Sequence, residues 1–279
     1  MSALGRAATA VIRTAIGVLG LKRGGRLVCK VLDEVQPTVL VTGPKGDAFR
    51  FATPNTLTLW RANSLFTKEP ETLEWLETIG PGEVLYDVGA NVGVYTVYAG
   101  VRKKDLRIVS FEPTFFNYWL LNRNILLNGL TDRVQALSLA LADREALDVI
   151  FMETVNDGAA LVTFGDNVNF QKERFTAKFK QGAVSTTLDA FIARYNPPFP
   201  TRIKLDVDGL EREILMGAEK TLKDPRLKSI LVELNEGLPG DMELVPYLEK
   251  CGLKLLWKRH TPVPDGEAFE KLFNYVFSR

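Results

Sequence analysis

Asp87 lies at the carboxyl end of the apolar run Val84–Val88, and Glu112 directly follows a second such run, Arg107–Phe111. The first run passes into Gly89-Ala90-Asn91-Val92-Gly93 and then Val94-Tyr95-Thr96. A strand, a tight glycine turn and the start of a helix make a ligand cradle. Glycine has no Cβ, so a ligand can lie against bare backbone, and the next helix aims its free N–H groups at that ligand. Acids at strand carboxyl ends face the place where open α/β sheets bind ligands. The spacing is G-x-x-x-G, not the G-x-G-x-x-G of dinucleotide enzymes. Glu112 is placed to hold both hydroxyls of a ribose, so the pair reads as a site for a nucleoside-bearing cofactor.

These residues need a parallel sheet behind them. Apolar runs at 84–88, 107–111, 134–139, 202–206 and 229–234 alternate with helix-spaced segments such as 114–127, where Leu120, Leu121, Ile125 and Leu127 recur at near-helical intervals. The alternation predicts a sheet covered by helices on both faces. Residues 254–258 and 273–278 read as two more strands, a hairpin at the sheet edge. A helix over 67–79, with Thr67 as its cap and Leu73, Leu76 and Ile79 on one face, stops at Gly80-Pro81-Gly82. Upstream, alternation at 27–32 and 37–41 and the turn Gly43-Pro44-Lys45-Gly46-Asp47 predict a β-ribbon. The expected division is 1–66, an N-terminal helix and β-ribbon extension, and 67–279, the main domain. Residues 151–182 break the rhythm. Turns at Asn156-Asp157-Gly158 and Gly165-Asp166-Asn167 flank 159–164, and Phe170, Phe175 and Phe179 follow, interleaved with Lys172, Arg174, Lys178 and Lys180. Two readings stand: a lid or acceptor-recognition insertion over the ligand face, or a β-hairpin extension with a solvated basic face.

A chain of 279 residues can bury a sizeable core. Lys+Arg of 35 against Asp+Glu of 34 gives a net charge of +1, which does not favour nucleic acid as a partner. Cys29 and Cys251 exclude a Cys-rich zinc site and a disulfide framework, and a reducing, cytoplasmic location is expected. His260 is the single histidine, which excludes two-histidine chemistry. No run is long and apolar enough to span a bilayer. The first thirty-two residues hold Arg6, Arg13, Lys22, Arg23, Arg26 and Lys30 and no acid before Asp33, with Val11, Ala15, Val18 and Leu19 on one helical face. Residues 1–23 therefore read either as a peripheral membrane contact or as a helix packed on the core with its charges solvated. Arg13 interrupts the apolar stretch, so a secretory leader is not expected.

Three segments in order, Asp87-Val88-Gly89-Ala90-Asn91-Val92-Gly93, Phe111-Glu112-Pro113 and Lys204-Leu205-Asp206-Val207-Asp208-Gly209-Leu210-Glu211, closely resemble the signatures of the FkbM family of S-adenosylmethionine-dependent methyltransferases. Thr187-Leu188-Asp189 and Asn274-Tyr275-Val276-Phe277 also look like that family, and the likeness runs from about Glu69 to the C-terminus. Asp208 stands where family members often carry Glu. The resemblance implies the class I methyltransferase fold, a mostly parallel Rossmann-like α/β sheet with one antiparallel strand. It implies S-adenosyl-L-methionine as cofactor and a hydroxyl of a sugar or natural-product small molecule as acceptor. It assigns Asp87, Gly89, Ala90, Asn91 and Gly93 to the cofactor's methionine part, Glu112 beside Pro113 to the ribose, and the loop bearing Asp143 to the adenine. Asp143 reads equally as a turn acid before Arg144.

A hydroxyl is a poor nucleophile until its proton is being removed, so Asp206, at the end of its strand, is the expected general base. Lys204 shares its side of the pleat and would tune its pKa. Glu233 and Asn235 end the next strand and approach the same face. Asp208 and Glu211 read first as a capping box for the following helix. No metal is expected, although Asp206, Asp208 and Glu233 offer oxygen ligands. His260 reads first as a solvent-facing loop residue, and as a base second. Asn196-Pro197-Pro198-Phe199 matches the N-P-P-[YF] motif of nitrogen methyltransferases, but it precedes the strand at 202–206 and should be a helix stop at the far end of the sheet. The alternatives are methyl transfer to nitrogen in a protein or nucleic acid, and a non-catalytic cofactor-binding module.

Overall fold

The computed structural model describes residues 3–160, 162–167, 173–260 and 270–279. Two units are distinguished, Met1–Thr38 and Val39–Arg279. In the first, α1 (Ala3–Val35) is broken at Gly20, whose φ of 71° and ψ of 157° are not helical. Its two arms touch: a Cβ at Gly24 would stand 2.5 Å from the Ile16 Cα. Residues 27–32, expected as a strand, are helical. A short run that alternates over six residues also places Leu27 and Val31 one helical turn apart, and so few residues do not separate the two periods. Val11, Val18, Leu19, Leu27 and Val31 are exposed. No helix among the described residues is long and apolar enough to cross a membrane.

The predicted ribbon is β1 (Thr38–Thr42) and β2 (Ala48–Ala52). Gly43 N–H donates to the Asp47 carbonyl at 2.8 Å to close its turn. α2 (Thr56–Asn63) begins at a capping box in which Asn55 and Thr58 satisfy each other's backbone N–H. α3 (Pro70–Glu77) starts at Pro70, not at a Thr67 cap; proline suits a first helical position because its missing N–H would have no partner there. Leu73, Leu76 and Ile79 are buried as expected.

From here strand and helix alternate: β3 (Val84–Val88), α4 (Val94–Arg102), β4 (Arg107–Phe111), α5 (Phe115–Leu127) and β5 (Val134–Leu137). A second sheet follows, of β6 (Ala140–Leu141), β7 (Ala146–Met152), β8 (Val162–Phe164) and β9 (Phe179–Thr186), in the order β6-β9-β7-β8. The chain then runs through α6 (Leu188–Tyr195), β10 (Arg202–Leu205), α7 (Glu211–Met216), α8 (Glu219–Lys223), β11 (Ser229–Asn235), α9 (Pro239–Met242), α10 (Leu244–Lys250), β12 (Lys254–Arg259) and β13 (Leu272–Ser278). The seven-stranded sheet has the order β12-β13-β11-β10-β3-β4-β5. β3, β4, β5, β10 and β11 are parallel, and β13 runs antiparallel to both β11 and β12, as the edge hairpin predicts.

Alternate residues of each strand feed different cores. Val84, Tyr86, Val88, Ile203 and Leu205 face one apolar cluster, and Leu85, Ile108 and Leu231 face the other. Both faces are therefore covered. The chain leaves the centre through β3, reaches β5, and returns to β10 on the other side of β3, which makes the β3/β10 junction the topological switch point. Parts of the segment 151–182 join the second sheet, as the end of β7, β8 and the start of β9, and Met152 and Ala159 share a small core with Phe116 and Ile150. Phe170 and Lys172 lie outside the described residues. Phe179 is partly exposed and meets the Phe115 ring edge-on at 5.8 Å.

The switch point is crowded. Gly89 has φ of +80°, and a Cβ there would stand 1.9 Å from the Asp206 carbonyl oxygen. Gly46 has φ of +83° with no atom within 4 Å of the same position. In urea unfolding, Gly46→Ala should therefore lose only the left-handed backbone cost, about 1–2 kcal/mol. Gly89→Ala adds a clash with rigid backbone and should lose about 3 kcal/mol or more. Equal losses would show that the close approach is absent in solution.

Candidate active site

A cavity of about 550 Å³ opens at the carboxyl ends of β3, β4, β10 and β11. Gly89 and Asn91 of the turn after β3, Glu112 and Pro113 after β4, and Leu139, Ala140 and Leu141 form one side. Asp206, Asp208, Glu233 and Asn235 form another. Leu57, Trp60 and Arg61 of α2 with Lys68 and Glu69 close it, and Ile150, Ala159, Val162 and Phe164 of the second sheet and its loops add apolar wall. The size is ordinary for a small-molecule or cofactor site.

The glycine turn is not the open cradle the sequence suggests. The N–H groups of Gly89 and Ala90 both donate to the Phe111 carbonyl at 3.0 Å. Asn91 N–H donates to Glu112 Oε2 at 2.9 Å, Val92 N–H to Asn91 Oδ1 at 2.9 Å, and Gly93 N–H to the Ala90 carbonyl at 2.8 Å. Every backbone donor from 89 to 93 is thus consumed inside the protein, and the main chain of the turn offers the ligand shape rather than N–H groups. Gly93 is needed for packing: its φ is +81°, and a Cβ would meet Leu121 Cδ1 at 2.5 Å.

Beneath the turn lies a buried charge system. Lys204 is 2% exposed and pairs in register with Asp87 across β10 and β3. Its Nζ donates to Asp206 Oδ2 at 2.9 Å and lies 5.0 Å from the centre of the Tyr95 ring. Burial works against its charge, but Asp206, Asp87 and Glu69 outweigh this and raise its pKa. Burial likewise works against the Asp206 charge, and Lys204 and Lys68 hold its pKa below the usual value. Asp87 is fully buried: Oδ2 accepts from Thr96 Oγ1 at 2.5 Å, Oδ1 has no hydrogen-bond partner among the described residues, and burial raises its pKa.

Glu112 accepts from Asn91 N–H and, through Oε1, from Thr114 N–H at 2.9 Å and the Thr114 hydroxyl. Burial nevertheless pushes its pKa up to about 7. Glu233 is raised well above the usual range, by burial first and then by Asp206 and Glu69. The capping box expected of Asp208 and Glu211 is not formed: α7 is capped at Leu210 with no side-chain bond. Asp208 instead has φ of +58° and lines the cavity. Glu211 Oε1 reaches back to Val207 N–H at 3.0 Å.

Of the residues read from the sequence, Gly89, Asn91, Glu112, Pro113, Asp206 and Glu233 meet on the wall. Ala90, Gly93, Asp87 and Lys204 lie behind it. Asp143 does not reach it; it is exposed and pairs with Arg144 at 3.1 Å, the turn-acid reading. His260 lines the cavity with Nδ1 2.7 Å from the Leu272 carbonyl, a less exposed place than a solvated loop; Thr261 and Pro262 lie outside the described residues. Asn196-Pro197-Pro198-Phe199 is remote from the cavity: Asn196 ends α6, and the Pro198 carbonyl accepts from the Tyr86 hydroxyl at 2.9 Å. No set of three or more metal-ligating side chains converges among the described residues. Leu57, Trp60, Arg61 and Lys68 escape sequence reading. The one local signal is the Asn55–Thr58 capping box, which marks a helix and says nothing of where it docks.

Glu211 gives a stability test. In the fold it keeps its proton up to about 8, chiefly through burial, whereas in the unfolded chain it releases it near 4.5. Between these values the native state binds more protons than the unfolded state, so this group makes stability fall as pH rises. Glu211→Gln retains an acceptor for Val207 N–H. It should melt above the parent at pH 8 and lose that advantage at pH 5; an advantage that does not shrink toward pH 5 would refute the buried-acid account.

Comparison with known proteins agrees with this geometry. The methyltransferase FkbM domain matches residues 87–255, more than half of the chain. Methyltransferase sdnD of Sordaria araneosa is 24% identical over 65% of this chain and 77% of its own length. The 31-O-demethyl-FK506 methyltransferase FkbM of Streptomyces tacrolimicus is 24% identical over 63% and 74%. Hexuronic acid methyltransferase AglP of Haloferax volcanii is 23% identical over 73% and 77%. The mostly parallel sheet with β13 as its one antiparallel strand is the arrangement that the family resemblance implies. The cavity's chemistry fits their cofactor: apolar walls at Leu139 and Leu141 for a base, Glu112 for a diol, and the acids Asp206, Asp208 and Glu233 for a sulfonium cation. The chain belongs to the FkbM methyltransferase family and is an S-adenosylmethionine-dependent methyltransferase.

Proposed function

We propose that this enzyme methylates a hydroxyl oxygen of a sugar or natural-product small molecule. The observation that carries the reading is the pair of acids at the ends of β10 and β11, whose surroundings drive their proton affinities apart: Asp206 is held ionised by Lys204, while Glu233 is raised. Such divergence is how one site divides charge stabilisation from proton transfer. The sulfonium cofactor supplies an electrophilic methyl group when bound. The chain's own task is to align an oxygen with it, exclude water and take the hydroxyl proton. The low pKa of Asp206 makes it a weak base, so we assign it to holding the acceptor and the cationic charge. Glu233 is then the proton acceptor, a revision of the role expected for Asp206. Lys204 positions Asp206, and Asp87, Ala90 and Gly93 support the turn that Gly89 and Asn91 present to the cofactor, with Glu112 beside Pro113 at the ribose. The names of two relatives, a 31-O-demethyl-FK506 methyltransferase and a hexuronic acid methyltransferase, support an oxygen on a small molecule. A near-neutral net charge and the remoteness of the Asn196–Phe199 motif favour this over transfer to nitrogen in a nucleic acid or protein.

The test combines binding with transfer. Calorimetry should show saturable binding of S-adenosylhomocysteine but not of NAD. With radiolabelled S-adenosylmethionine, label should pass to hexuronates or polyketide alcohols as an alkali-stable ether. Glu233→Gln should lower kcat by about 10²–10⁴-fold and abolish its rise with pH, while S-adenosylhomocysteine affinity is retained. Label recovered on nitrogen, or an unaffected pH profile in Glu233→Gln, would overturn the assignment.

We also propose that α1 makes a peripheral contact with anionic membranes, since its exposed Val11, Val18 and Leu19 accompany Arg6, Arg13, Lys22 and Arg23 with no acid among them. The full chain should sediment with phosphatidylglycerol vesicles and be released by salt. Failure to sediment at low salt would leave α1 as a solvated helix.

A further inference from the structure

Three cations line the cavity, and the protein neutralises two of them. Lys68 pairs with Glu69, and Arg259 pairs with Glu74. Among the described residues Arg61 has no ion pair, and its single hydrogen bond runs from Nε to the Gly158 carbonyl at 2.6 Å. Both Nη nitrogens, with four N–H donors between them, are left to the cavity. A part-buried guanidinium with unmet donors carries a desolvation cost. Asp208 and Asp206 contribute to its field from a distance without pairing with it.

The surroundings hold this group in place. Asn55 Nδ2 donates to the Asp157 carbonyl at 3.0 Å, Gly158 N–H donates to Asn117 Oδ1 at 2.8 Å, and the Ala159 carbonyl accepts from Asn91 Nδ2 at 3.0 Å and Asn117 Nδ2 at 2.9 Å. The anchor of Arg61 is thereby tied to Asn91, a member of the glycine turn. A rigid fork of donors beside that turn matches a carboxylate, which accepts two parallel N–H bonds. A dianion such as a phosphate suits the place less well, because Asp206, Asp208 and Glu233 share the wall.

The backbone of the turn has no donor to offer, since the main-chain N–H groups of residues 89–93 all have protein acceptors. The methionine part of the cofactor ends in a carboxylate that needs donors on entering this cavity. We propose that Arg61 receives that carboxylate through its two Nη groups, so that α2, outside the segment matched by the family, completes the cofactor site. The inference rests on the S-adenosylmethionine reading of the cavity.

Titration calorimetry of the full chain with S-adenosylhomocysteine and with 5′-methylthioadenosine, which lacks the amino-acid end, separates the two readings. Arg61→Gln should weaken S-adenosylhomocysteine about 10- to 100-fold, the size of a charged hydrogen-bond loss, while 5′-methylthioadenosine binds variant and parent alike. Arg61→Lys keeps the charge without the fork and should fall between them; it serves in place of Arg61→Gln if that variant does not fold. Equal loss of both ligands would mean a structural role and overturn the proposal, as would unchanged binding of both, including the case in which only turnover of an acidic acceptor suffers. If the folded parent binds neither ligand, it is the underlying cofactor reading that fails.

Discussion

The buried ammonium of Lys204 is the constraint around which the site is organised. A lysine on a central strand, covered on both sides, must be paired or lose its charge. Register sets Asp87 opposite it on β3, Asp206 follows directly after its own strand, and the Tyr95 ring covers it from α4. The Asp206 anion that results makes ionisation of Glu233 and Glu211 more difficult. Removing this one charge would therefore alter the protonation of the whole acidic wall.

A second constraint follows from how closely β3 and β10 converge. The loop after β3 passes so near the Asp206 carbonyl that residue 89 has no room for a Cβ. The same loop binds itself to β4 through the Phe111 carbonyl and Glu112. It gains rigidity by consuming its own donors. The polar groups on the cavity wall are then side chains: Asn91 at the turn, Glu112 after β4, and Arg61, Lys68 and Glu69, which precede the sheet.

That division explains what could be read in advance. The five parallel strands, the edge hairpin and the glycine turn were legible because each is written in a local period or in a residue type that only one backbone conformation accommodates. Glu112, Asp206 and Glu233 were legible by position, as acids at strand ends. The helical state of 27–32, the absent capping box at Asp208, and the surface location of Asp143 were not. In each case a short local pattern suits two structures, and contacts distant in sequence choose between them.

The amino-acid sequence by itself determined the parallel strands, the edge hairpin and the acids at the strand ends, because strand and helix periods and a glycine turn act over a few neighbouring residues. Only the tertiary structure decided that the turn's N–H groups are already bonded, that Arg61 lines the cavity from a helix whose cap says nothing of where it docks, and that the proton affinity of Asp206 is held down while that of Glu233 is raised. Hydrogen-bond partnership and proton affinity depend on distances through space and on exclusion of water, and residues separated by scores of positions acquire those only when the chain has folded.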